Sequence, residues 1–457
     1  MNNAFARPVL PSGSSDANPP IRIPVRGNVP AGHEVRSLVD SAAVQRLRGV
    51  RQLGLAHLVY PGAVHTRFEH SLGVYAVGRL ILGELASRSP RVLSPEDERC
   101  FLACCLLHDV GHYPFSHTLE DLPPDPQGRV HIIRHDERAR AIIMGDRQVP
   151  GILRGQWGCD PDRICRVIDE LSTEGDTGDA RLRRLLAGPL NPDRLDYLER
   201  DSQHVGVPYG RAIDMERLLA TVRFVPDGSE LCVLSKGVSA VETLIFASYL
   251  MYREVYWHHA VRAAQAMLKR AVTEAVRSGR VLEQALVALD DGQALALLQQ
   301  EGDSATTELM AGLGSGRGIY RRVYSGSVAE AEELPTGACR DVLLRLARAN
   351  HWEAEEVLAA VIADFNRATG HQAKPHDLLY DASGRDKELF FTVPVLWSDG
   401  RLRSTAEPEV SLLAPSLAVN FERHAKRQQL LARPALVRDL ATFLGLGLDK
   451  ESVVPTV

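Results

Sequence analysis

The stretch Phe101-Leu-Ala-Cys-Cys-Leu-Leu-His108-Asp109-Val-Gly-His112-Tyr-Pro-Phe-Ser-His117 decides how the chain is interpreted. Its apolar first part contains no turn-forming residue, which predicts a buried helix. An imidazole and a carboxylate at the end of such a helix must find partners, because unpaired polar groups in a core are costly. A divalent metal ion satisfies both, since imidazole nitrogen and carboxylate oxygen are good metal ligands. Three histidines and one aspartate within ten positions therefore favour a functional site over a solvated helix end.

The composition is that of a soluble globular protein with room for more than one domain. The chain has 457 residues, 45% hydrophobic and 24% charged, with a formal net charge of -5. Such a chain has no global basic field, so the charge gives no support to a nucleic-acid partner. The seven cysteines form no Cys-x-x-Cys pair, which favours a reducing, cytoplasmic setting. No apolar run reaches the ~18 residues of a membrane span, and the first residues have no signal-peptide core.

The pattern along the chain predicts a mainly α protein in three parts. Residues 1–30, rich in Pro, Ser, Gly and Asn, are predicted to be a flexible tail. Residues 31–346 have helical periodicity and are predicted to form a helical core. Residues 347–457 are predicted to form a smaller mixed α/β lobe. Within this lobe, residues 375–415 alternate like strands, with Ser398-Asp-Gly400 as a turn, and residues 421–445 return to helix.

The stretch Asn191-Pro-Asp-Arg-Leu-Asp-Tyr-Leu-Glu-Arg-Asp201 predicts a second helix with a polar side. Asparagine suits an N-cap, and proline suits the first helical position. Asp193, Tyr197 and Asp201 are spaced four apart and therefore lie on one face. Two acids and a phenol are unusual for a core face, so this face is predicted to line a cleft.

Two other patterns have ordinary structural interpretations. Asp196 and Arg200, also four apart, are predicted to form a helix ion pair of little energetic value. Leu244 to Leu268 is predicted to be one long helix whose centre, Tyr249 to His259, combines aromatics, an arginine and histidines. Such a segment suits interface packing, an aromatic wall or a phosphate-facing surface.

The order of these residues resembles the metal-binding signature of the HD phosphohydrolase superfamily. More narrowly, the chain resembles the SAM and HD domain-containing deoxynucleoside triphosphate triphosphohydrolases over about residues 21–445. Four motifs in the family's order establish this resemblance: Gln45-Arg-Leu-Arg48…Gln52-Leu-Gly, Arg67-Phe-Glu-His70-Ser-Leu-Gly, His108-Asp-Val-Gly-His-Tyr-Pro-Phe-Ser-His117 and Asp193-Arg-Leu-Asp-Tyr-Leu-Glu-Arg-Asp201. The resemblance implies a helical HD core and hydrolysis of a deoxynucleoside triphosphate to deoxynucleoside and inorganic triphosphate.

The resemblance also implies a divalent metal ion, which could be iron, manganese, zinc, magnesium or nickel. The positions that match the family's metal ligands are His70, His108, Asp109 and Asp193. His135 is expected to transfer the proton, its imidazole held by the Asp-Glu pair that follows it. His112 and His117 are expected to act beside it, on the phosphates and the leaving oxygen.

Substrate contacts are likewise implied by the resemblance. The expected substrate-binding residues are Gln52, Leu53, Arg67, His112, His117, Arg194, Tyr197, Asp201, Arg253, His258 and His259. Among them, the arginines would clamp the triphosphate. Gln52 and Asp201 would bind the sugar 3′-hydroxyl, and Tyr197 would exclude a 2′-hydroxyl.

Regulation by a nucleotide is supported by some positions and not by others. Residues that match the guanine-contacting positions of the family's activator site are Asp40, Gln45 and Arg48, which implies GTP or a dNTP as activator. The lysine and asparagine that hold a second nucleotide are replaced by Val241 and Ile245. Val261 replaces a substrate-contacting tyrosine, and one of the nearby histidines would substitute for it. A homo-oligomer, dimer or tetramer, is expected from the resemblance.

Two alternative functions remain open from the sequence. The first is an HD-domain hydrolase of another phosphoester, such as a nucleoside monophosphate, an alarmone or a cyclic dinucleotide. The cyclic-dinucleotide case lacks its Gly-Tyr-Pro extension here, and the face from Asp193 to Asp201 favours a nucleoside ligand. The second is a nucleotide-sensing or nucleic-acid-binding module with a vestigial site. That reading requires a lost ligand, and all the expected ligands are present.

Overall fold

The computed structural model describes residues 19–88, 92–120, 122, 132–316, 318–382, 391–411, 413, 416 and 427–446. Helices dominate these residues and the strands form small sheets, so the predicted mainly α fold with a mixed α/β C-terminal part is confirmed. The helices are α1 (His33–Val39), α2 (Ala42–Gln45), α3 (Arg67–Arg88), α4 (Pro95–Leu107), α5 (His117–Glu120), α6 (His135–Gly145), α7 (Val149–Ile152), α8 (Pro161–Ile168), α9 (Thr177–Ala187), α10 (Pro192–Val205), α11 (Met215–Thr221), α12 (Val238–Met251), α13 (His259–Arg277), α14 (Glu283–Val287), α15 (Asp291–Glu301), α16 (Ser304–Ser315), α17 (Val328–Glu332), α18 (Ala338–Arg348), α19 (His351–Thr369) and α20 (Val437–Phe443). The strands are β1 (Ile21–Ile23), β2 (Gly27–Val29), β3 (Val222–Phe224), β4 (Leu231–Leu234), β5 (Arg321–Gly326), β6 (Leu378–Ala382), β7 (Pro394–Leu396), β8 (Leu402–Ser404) and β9 (Gln428–Ala432). Among the described helices, none has both the length and the apolar character needed to cross a bilayer.

Three packed helices form the centre of the core. Helix α3 packs against both α4 and α10. Helix α4 begins at a Ser94 capping box with Pro95 in its first turn, and it ends at His108. Its apolar segment is buried as predicted, except for the partly buried Leu102. Because His70 lies in the first turn of α3 and Asp193 in the first turn of α10, three polar helix ends meet inside one core.

Helix α10 begins where the sequence predicts. The Asn191 side chain accepts a hydrogen bond from the Arg194 backbone N–H at 2.6 Å, and Pro192 occupies the first turn. The helix ends at Gly206, which has a left-handed backbone with φ +85°. The cap fixes the first residue of the helix and therefore the position of Asp193.

The predicted flexible tail is wrong for its last residues. Strands β1 and β2 pair in an antiparallel hairpin, Ile21 opposite Val29. Ile23 and Val29 are buried in the main core cluster. The polar composition of the first 30 residues concealed this hairpin, because few of its side chains, Ile21, Ile23 and Val29, pack on the core and a turn arginine, Arg26, is held by ionic contacts.

The strand content is larger than predicted, and two assignments were wrong. Strand β5 lies in a region predicted to be helical, and β9 lies within the predicted helix 421–445; residues 421–426 fall outside the described residues. Strand β9 is central in the sheet β5-β9-β6, and all five of its residues are buried. A strand buried on both faces lacks the alternation that identifies strands from sequence. The predicted turn at Ser398-Asp-Gly400 does connect an antiparallel pair, β7 and β8.

The C-terminal part also contacts the core. Strand β7 pairs in parallel with β4, which gives the sheet order β3-β4-β7-β8. Phe391, just before β7, lies under the guanidinium of Arg194 at 4.1 Å. This sheet therefore brings a C-terminal segment to the start of α10.

The long helix predicted over 244–268 is interrupted. Helix α12 ends at Met251, a π-type turn covers Tyr252–Tyr256, and α13 begins at His259. The His258 imidazole accepts a hydrogen bond from the Ala260 backbone N–H at 3.3 Å and so acts as an N-cap. The periodicity continues across the break, which is why the sequence pattern did not show it.

The N-cap of α10 gives a stability prediction. Replacing Asn191 by Ala leaves the Arg194 N–H without its acceptor, and we expect a loss of about 1 kcal/mol of unfolding free energy. Asn191→Ser keeps a capping oxygen and should lose less. Urea unfolding followed by circular dichroism measures both variants. Equal stability of the wild type and Asn191→Ala would contradict the capping role.

Candidate active site

The structure brings the four expected metal ligands together at the meeting point of α3, α4 and α10. His70 Nε2 lies 2.8 Å from Asp193 Oδ1 and 3.9 Å from Asp109 Oδ2. His108 Nε2 lies 3.3 Å from Asp109 Oδ1 and 3.9 Å from Asp193 Oδ1. Donors bound octahedrally to one ion at about 2.1 Å lie about 3 Å apart when adjacent and about 4 Å apart when opposite. The ligand atoms of His70, His108 and Asp109 all lie within 4.8 Å of one another, which suits one divalent cation, and Asp193, the expected fourth ligand, lies close to both histidines.

The electrostatics of the cluster prepare Asp109 and His108 to act as ligands, whereas His70 without a metal is protonated and must lose a proton when a cation binds. Burial alone would raise the pKa of Asp109, but Arg67 and the neighbouring histidines hold it well below its usual value. Burial lowers the pKa of His108, so this imidazole is neutral. Its Nε2 atom is buried and makes no hydrogen bond, which leaves a lone pair directed at the carboxylates. For His70, the carboxylates of Asp193 and Asp196 outweigh burial and raise the pKa to about 10.

Each ligand histidine is oriented by a bond to its other nitrogen. His108 Nδ1 lies 3.0 Å from the Cys105 carbonyl oxygen. His70 Nδ1 lies 2.9 Å from Asp196 Oδ2. Such partners fix the tautomer, so that Nε2 faces the metal position. A backbone carbonyl therefore orients His108, and a carboxylate orients His70.

The ion pair of Asp196 and Arg200 forms as predicted, but it is buried, so the prediction of little energetic value was wrong. Both side chains are fully buried, and Arg200 Nε donates to Asp196 Oδ2 at 2.7 Å. Asp196 is therefore part of the support of the metal position and not a solvated surface residue. Helical spacing alone does not distinguish a buried ion pair from an exposed one, because the groups that bury Asp196 come from other segments of the chain.

A second cluster adjoins the first and is built around Glu120, which the sequence analysis missed. Its carboxylate lies 3.1 Å from His117 Nδ1, 3.1 Å from His135 Nδ1 and 3.4 Å from His112 Nδ1. The imidazoles of His112 and His135 stack with ring centres 3.8 Å apart. His112 Nε2 also lies 3.2 Å from Asp109 Oδ1. The expected catalytic histidines are thus assembled next to the metal position.

The charges of the second cluster give its histidines different states. Burial, Arg67 and His135 lower the pKa of His112 to about 3, so His112 is neutral. For His135, Glu120 outweighs burial and raises the pKa above its usual value. The three histidines hold the pKa of Glu120 well below its usual range despite burial. A carboxylate-held imidazolium is therefore available as a proton donor.

The orientation of His135 differs from the sequence prediction. The Asp-Glu pair that follows it does not hold the imidazole: Asp136 pairs with Arg134, and Glu137 is exposed. Glu120 takes this role from a different helix. The signal available in the sequence was the spacing of His117 and Glu120, three apart on one helical turn.

Arg67 connects the two clusters. Its NH1 donates to Asp109 Oδ2 at 2.7 Å, and its Nε donates to Ser116 Oγ at 2.8 Å. Phe115 and Ser116 both have left-handed backbones, with φ of 59° and 57°. The Phe115 N–H donates to the buried carboxylate of Asp291 at 2.7 Å. This strained loop thus has fixed partners and places His117 beside Glu120.

The expected sugar-binding residues form a neighbouring group. Asp201 is buried, and its oxygens lie 2.8 Å from His65 Nε2 and 2.7 Å from the Tyr256 hydroxyl. The Gln52 backbone N–H donates to the His65 carbonyl at 3.0 Å, and Gln52 Oε1 is buried without a hydrogen bond. The Tyr197 ring meets Tyr256 edge-on at 6.3 Å. His65 and Tyr256 were not identified from sequence, because neither stands in a charged pattern.

The remaining expected contacts lie elsewhere. The Arg194 guanidinium donates to the Pro189 carbonyl and stacks on Phe391. The Arg253 side chain is exposed and pairs with Glu254. Other expected residues pack apart from the clusters: Leu53 against an apolar group with Val261, and His258 on His259 with ring centres 4.5 Å apart. Of the expected activator residues, Gln45 and Arg48 bond each other and Asp40 is exposed.

Comparisons with known proteins identify a matching domain and several relatives. Residues 67–201 match the HD domain model, and residues 213–366 match the model of the HD associated region. An uncharacterized protein, YwfO of Bacillus subtilis, is 36% identical over 238 residues, which cover 52% of this chain and 51% of YwfO. The deoxynucleoside triphosphate triphosphohydrolase SAMHD1 of Bos taurus is 28% identical, over 56% of this chain and 47% of its own.

Solved structures share the fold over nearly the whole chain. A hypothetical protein from Aquifex aeolicus has a TM-score of 0.68 at 26% identity, covering 93% of this chain and 98% of its own. A phosphohydrolase from Bacteroides thetaiotaomicron has a TM-score of 0.66 at 24% identity, covering 91% and 99%, and shows the same fold.

The fold, the ligand cluster and these matches show an HD domain over residues 67–201 in a chain that resembles HD-domain phosphohydrolases. Within that class, its resemblance to the SAMHD1 triphosphohydrolases is confirmed. The chain spans about half the length of the curated relatives it matches.

The contact between Glu120 and His135 predicts a specific titration. Replacing Glu120 by Gln removes the negative charge that stabilises the imidazolium, so the pKa of His135 should fall. Because the folded-state pKa is raised, His135 in the variant should lose its proton at a lower pH than in the wild type. Histidine NMR titration measures this change. Glu137→Gln is the matched control and should leave His135 unchanged; the opposite result would return the orienting role to the residues that follow His135.

Proposed function

We propose that the protein is a metal-dependent deoxynucleoside triphosphate triphosphohydrolase that releases deoxynucleoside and inorganic triphosphate. One observation carries the proposal: residues from separate motifs converge into a metal cluster, an adjoining histidine and glutamate cluster, and a buried carboxylate, Asp201, that is held by His65. Ribonucleotides also carry the 3′-hydroxyl that Asp201 would bind, so the preference for deoxyribose is assigned to Tyr197.

The residues divide the chemistry as follows. His70, His108, Asp109 and Asp193 would hold the cation, which when bound polarises phosphate oxygens and activates water. His135, held as an imidazolium by Glu120, donates a proton to the leaving 5′-oxygen of the nucleoside. Neutral His112 and the more exposed His117 contact phosphate oxygens. Arg67 adds a buried positive charge beside Asp109, which favours the anionic substrate.

Two arginines would need to change partners in this mechanism. Arg194 would leave the Pro189 carbonyl, and Arg253 would leave Glu254. Arg253 is solvent-exposed, so its present ion pair is weak. Both movements are side-chain rotations, and they would close the clamp after the triphosphate enters.

Asp201 and Gln52 would select a nucleotide with a free 3′-hydroxyl. Asp201 is fixed by His65 and Tyr256, and it would accept a hydrogen bond from the 3′-hydroxyl while Gln52 pairs with the same group. The ring of Tyr197 would lie against C2′ and leave no room for a 2′-hydroxyl. A sugar without the 3′-hydroxyl would be strongly rejected, because it leaves buried polar groups unpaired, whereas a 2′-hydroxyl would be excluded by the Tyr197 ring.

The direct test is an activity survey. Purified protein is incubated with Mn²⁺ and each dNTP and NTP, with and without GTP, and the products are separated by anion-exchange chromatography. The proposal expects triphosphate and deoxynucleoside from dNTPs. Release of pyrophosphate or monophosphate, or hydrolysis of other phosphoesters only, would show an HD hydrolase of a different substrate.

Two variants separate metal binding from proton transfer. Asp109→Asn should lose both bound metal and activity, because a neutral amide is a poor ligand. His135→Ala should retain metal and substrate binding but lose about 10²–10⁴-fold in kcat, the usual contribution of a general acid. Elemental analysis and steady-state kinetics measure both. Near-normal kcat in His135→Ala would move proton transfer to His117.

A second pair of variants tests the sugar contacts. Tyr197→Ala should admit ribonucleotides and so raise the ratio of kcat/KM for GTP to that for dGTP. Asp201→Asn should instead weaken all substrates that have a 3′-hydroxyl. Circular dichroism checks that both variants are folded. An unchanged GTP to dGTP ratio in folded Tyr197→Ala would contradict the role of this ring.

We further propose a homo-oligomer located in the cytoplasm, with GTP or a dNTP as activator. The seven cysteines are buried and free of disulfides, which suits a reducing compartment. Gln45 and Arg48 form a hydrogen-bonded pair at 2.7 Å, and a purine would have to displace the contacts of Gln45 with the Val39 carbonyl and of Arg48 with the Phe68 ring. Light scattering with and without GTP measures both the assembly and its dependence on nucleotide.

A further inference from the structure

Arg26 of the N-terminal hairpin contacts Asp196, the carboxylate that orients the expected metal ligand His70. Arg26 Nε donates to Asp196 Oδ1 at 2.9 Å, NH1 donates to Glu199 Oε2 at 2.7 Å, and NH2 donates to the Leu195 carbonyl at 3.0 Å. The side chain is only 9% exposed. All three contacts are on α10, within three residues on either side of Asp196. The whole guanidinium therefore serves one short segment of that helix.

The backbone of the hairpin is strained where it presents this arginine. Val25 has φ +69°, an unusual conformation for a β-branched residue. The Arg26 N–H donates to the Pro24 carbonyl at 2.8 Å, which closes a γ-turn around Val25. The Pro24 carbonyl also accepts from Arg200 NH1 at 3.2 Å. Strain of this kind persists only where the surrounding contacts impose it. Here Arg200 binds both the Pro24 carbonyl and Asp196.

Asp196 is the point on which these groups converge. It is fully buried and accepts hydrogen bonds from Arg26, Arg200 and His70. Two guanidiniums keep this carboxylate anionic, so it accepts the Nδ1 proton of His70. The Nε2 atom of His70 then faces Asp193 and the metal position. The chain of contacts thus runs from the hairpin to a metal ligand in two steps.

Gly73 of α3 has no room for a side chain. A Cβ atom on Gly73 would clash with both Arg200 Nη2 and Asp196 Oδ1. This explains why the motif that contains His70 ends in glycine within a helix, where glycine is otherwise unfavourable. The space at Gly73 is filled by the ion pair that supports His70.

We propose that Asp196, held by Arg26 of the N-terminal hairpin, is a positioning residue that fixes His70 for metal binding. The hairpin is therefore part of the metal centre and not an accessory segment. The inference rests on the proposed metal ligands but not on the proposed substrate. It predicts that metal affinity responds to a residue on a hairpin that contributes no ligand.

The experiment measures Mn²⁺ affinity by electron paramagnetic resonance in full-length variants. Asp196→Asn should weaken Mn²⁺ binding by about 10- to 100-fold, and Arg26→Ala by about 10-fold, the range typical of groups that orient metal ligands. Arg22→Ala is the matched control, since Arg22 is exposed on the same hairpin. Glu199→Gln removes the other carboxylate partner of Arg26 and should change the affinity less than twofold.

A spectroscopic readout separates positioning from general destabilisation. The visible absorption of bound Co²⁺ reports the ligand arrangement, and it should change in Asp196→Asn and Arg26→Ala but not in the two controls. Thermal unfolding of the metal-free variants identifies any that do not fold. Wild-type affinity and an unchanged Co²⁺ spectrum in folded Arg26→Ala and Asp196→Asn would overturn the inference. A loss in Glu199→Gln as large as that in Arg26→Ala would also overturn it, because docking of the hairpin would then be the cause.

Asp109→Asn distinguishes this failure from that of the metal site. If Asp109→Asn loses Mn²⁺ while the Arg26 and Asp196 variants bind normally, the metal site stands and only the positioning role is wrong. If Asp109→Asn retains Mn²⁺, the proposed ligands themselves are wrong, and the inference falls with them.

Discussion

The buried carboxylate of Asp196 is the interaction on which the site depends. It has no contact with solvent and is compensated by two arginines and a histidine. An uncompensated buried charge is costly, so each of these partners is held in place by the others. One contact thereby ties α10 to α3, attaches the N-terminal hairpin and orients a metal ligand. The same group contributes to the fold and to the geometry of the site.

The site separates two chemical tasks by the distribution of charge. The metal cluster concentrates carboxylates around two imidazoles, which suits a cation. The adjoining cluster has one carboxylate among three imidazoles, and burial and Arg67 keep His112 neutral while Glu120 favours the imidazolium of His135. Both clusters share Asp109 and Arg67 as neighbours. Chemically similar residues a few ångströms apart therefore acquire different protonation states.

The sequence was most informative where local chemistry decides the structure. The N-cap and proline at the start of α10, the buried helix that ends in His108, and the turn at Ser398-Asp-Gly400 were all predicted from short-range signals. It was least informative where burial removes the pattern. Strand β9 is buried on both faces and was assigned to a helix, and the hairpin β1-β2 was assigned to a tail.

The sequence by itself determined which residues have metal-ligand chemistry, their order along the chain and the helix ends that present them. Helical periodicity alone also placed Asp193, Tyr197 and Asp201 on one face. Only the tertiary structure decided which partners orient them: Glu120 for His135, Asp196 for His70, and His65 with Tyr256 for Asp201. The physical reason is that local spacing fixes the direction of a side chain, whereas its burial and pKa depend on charges brought from distant segments.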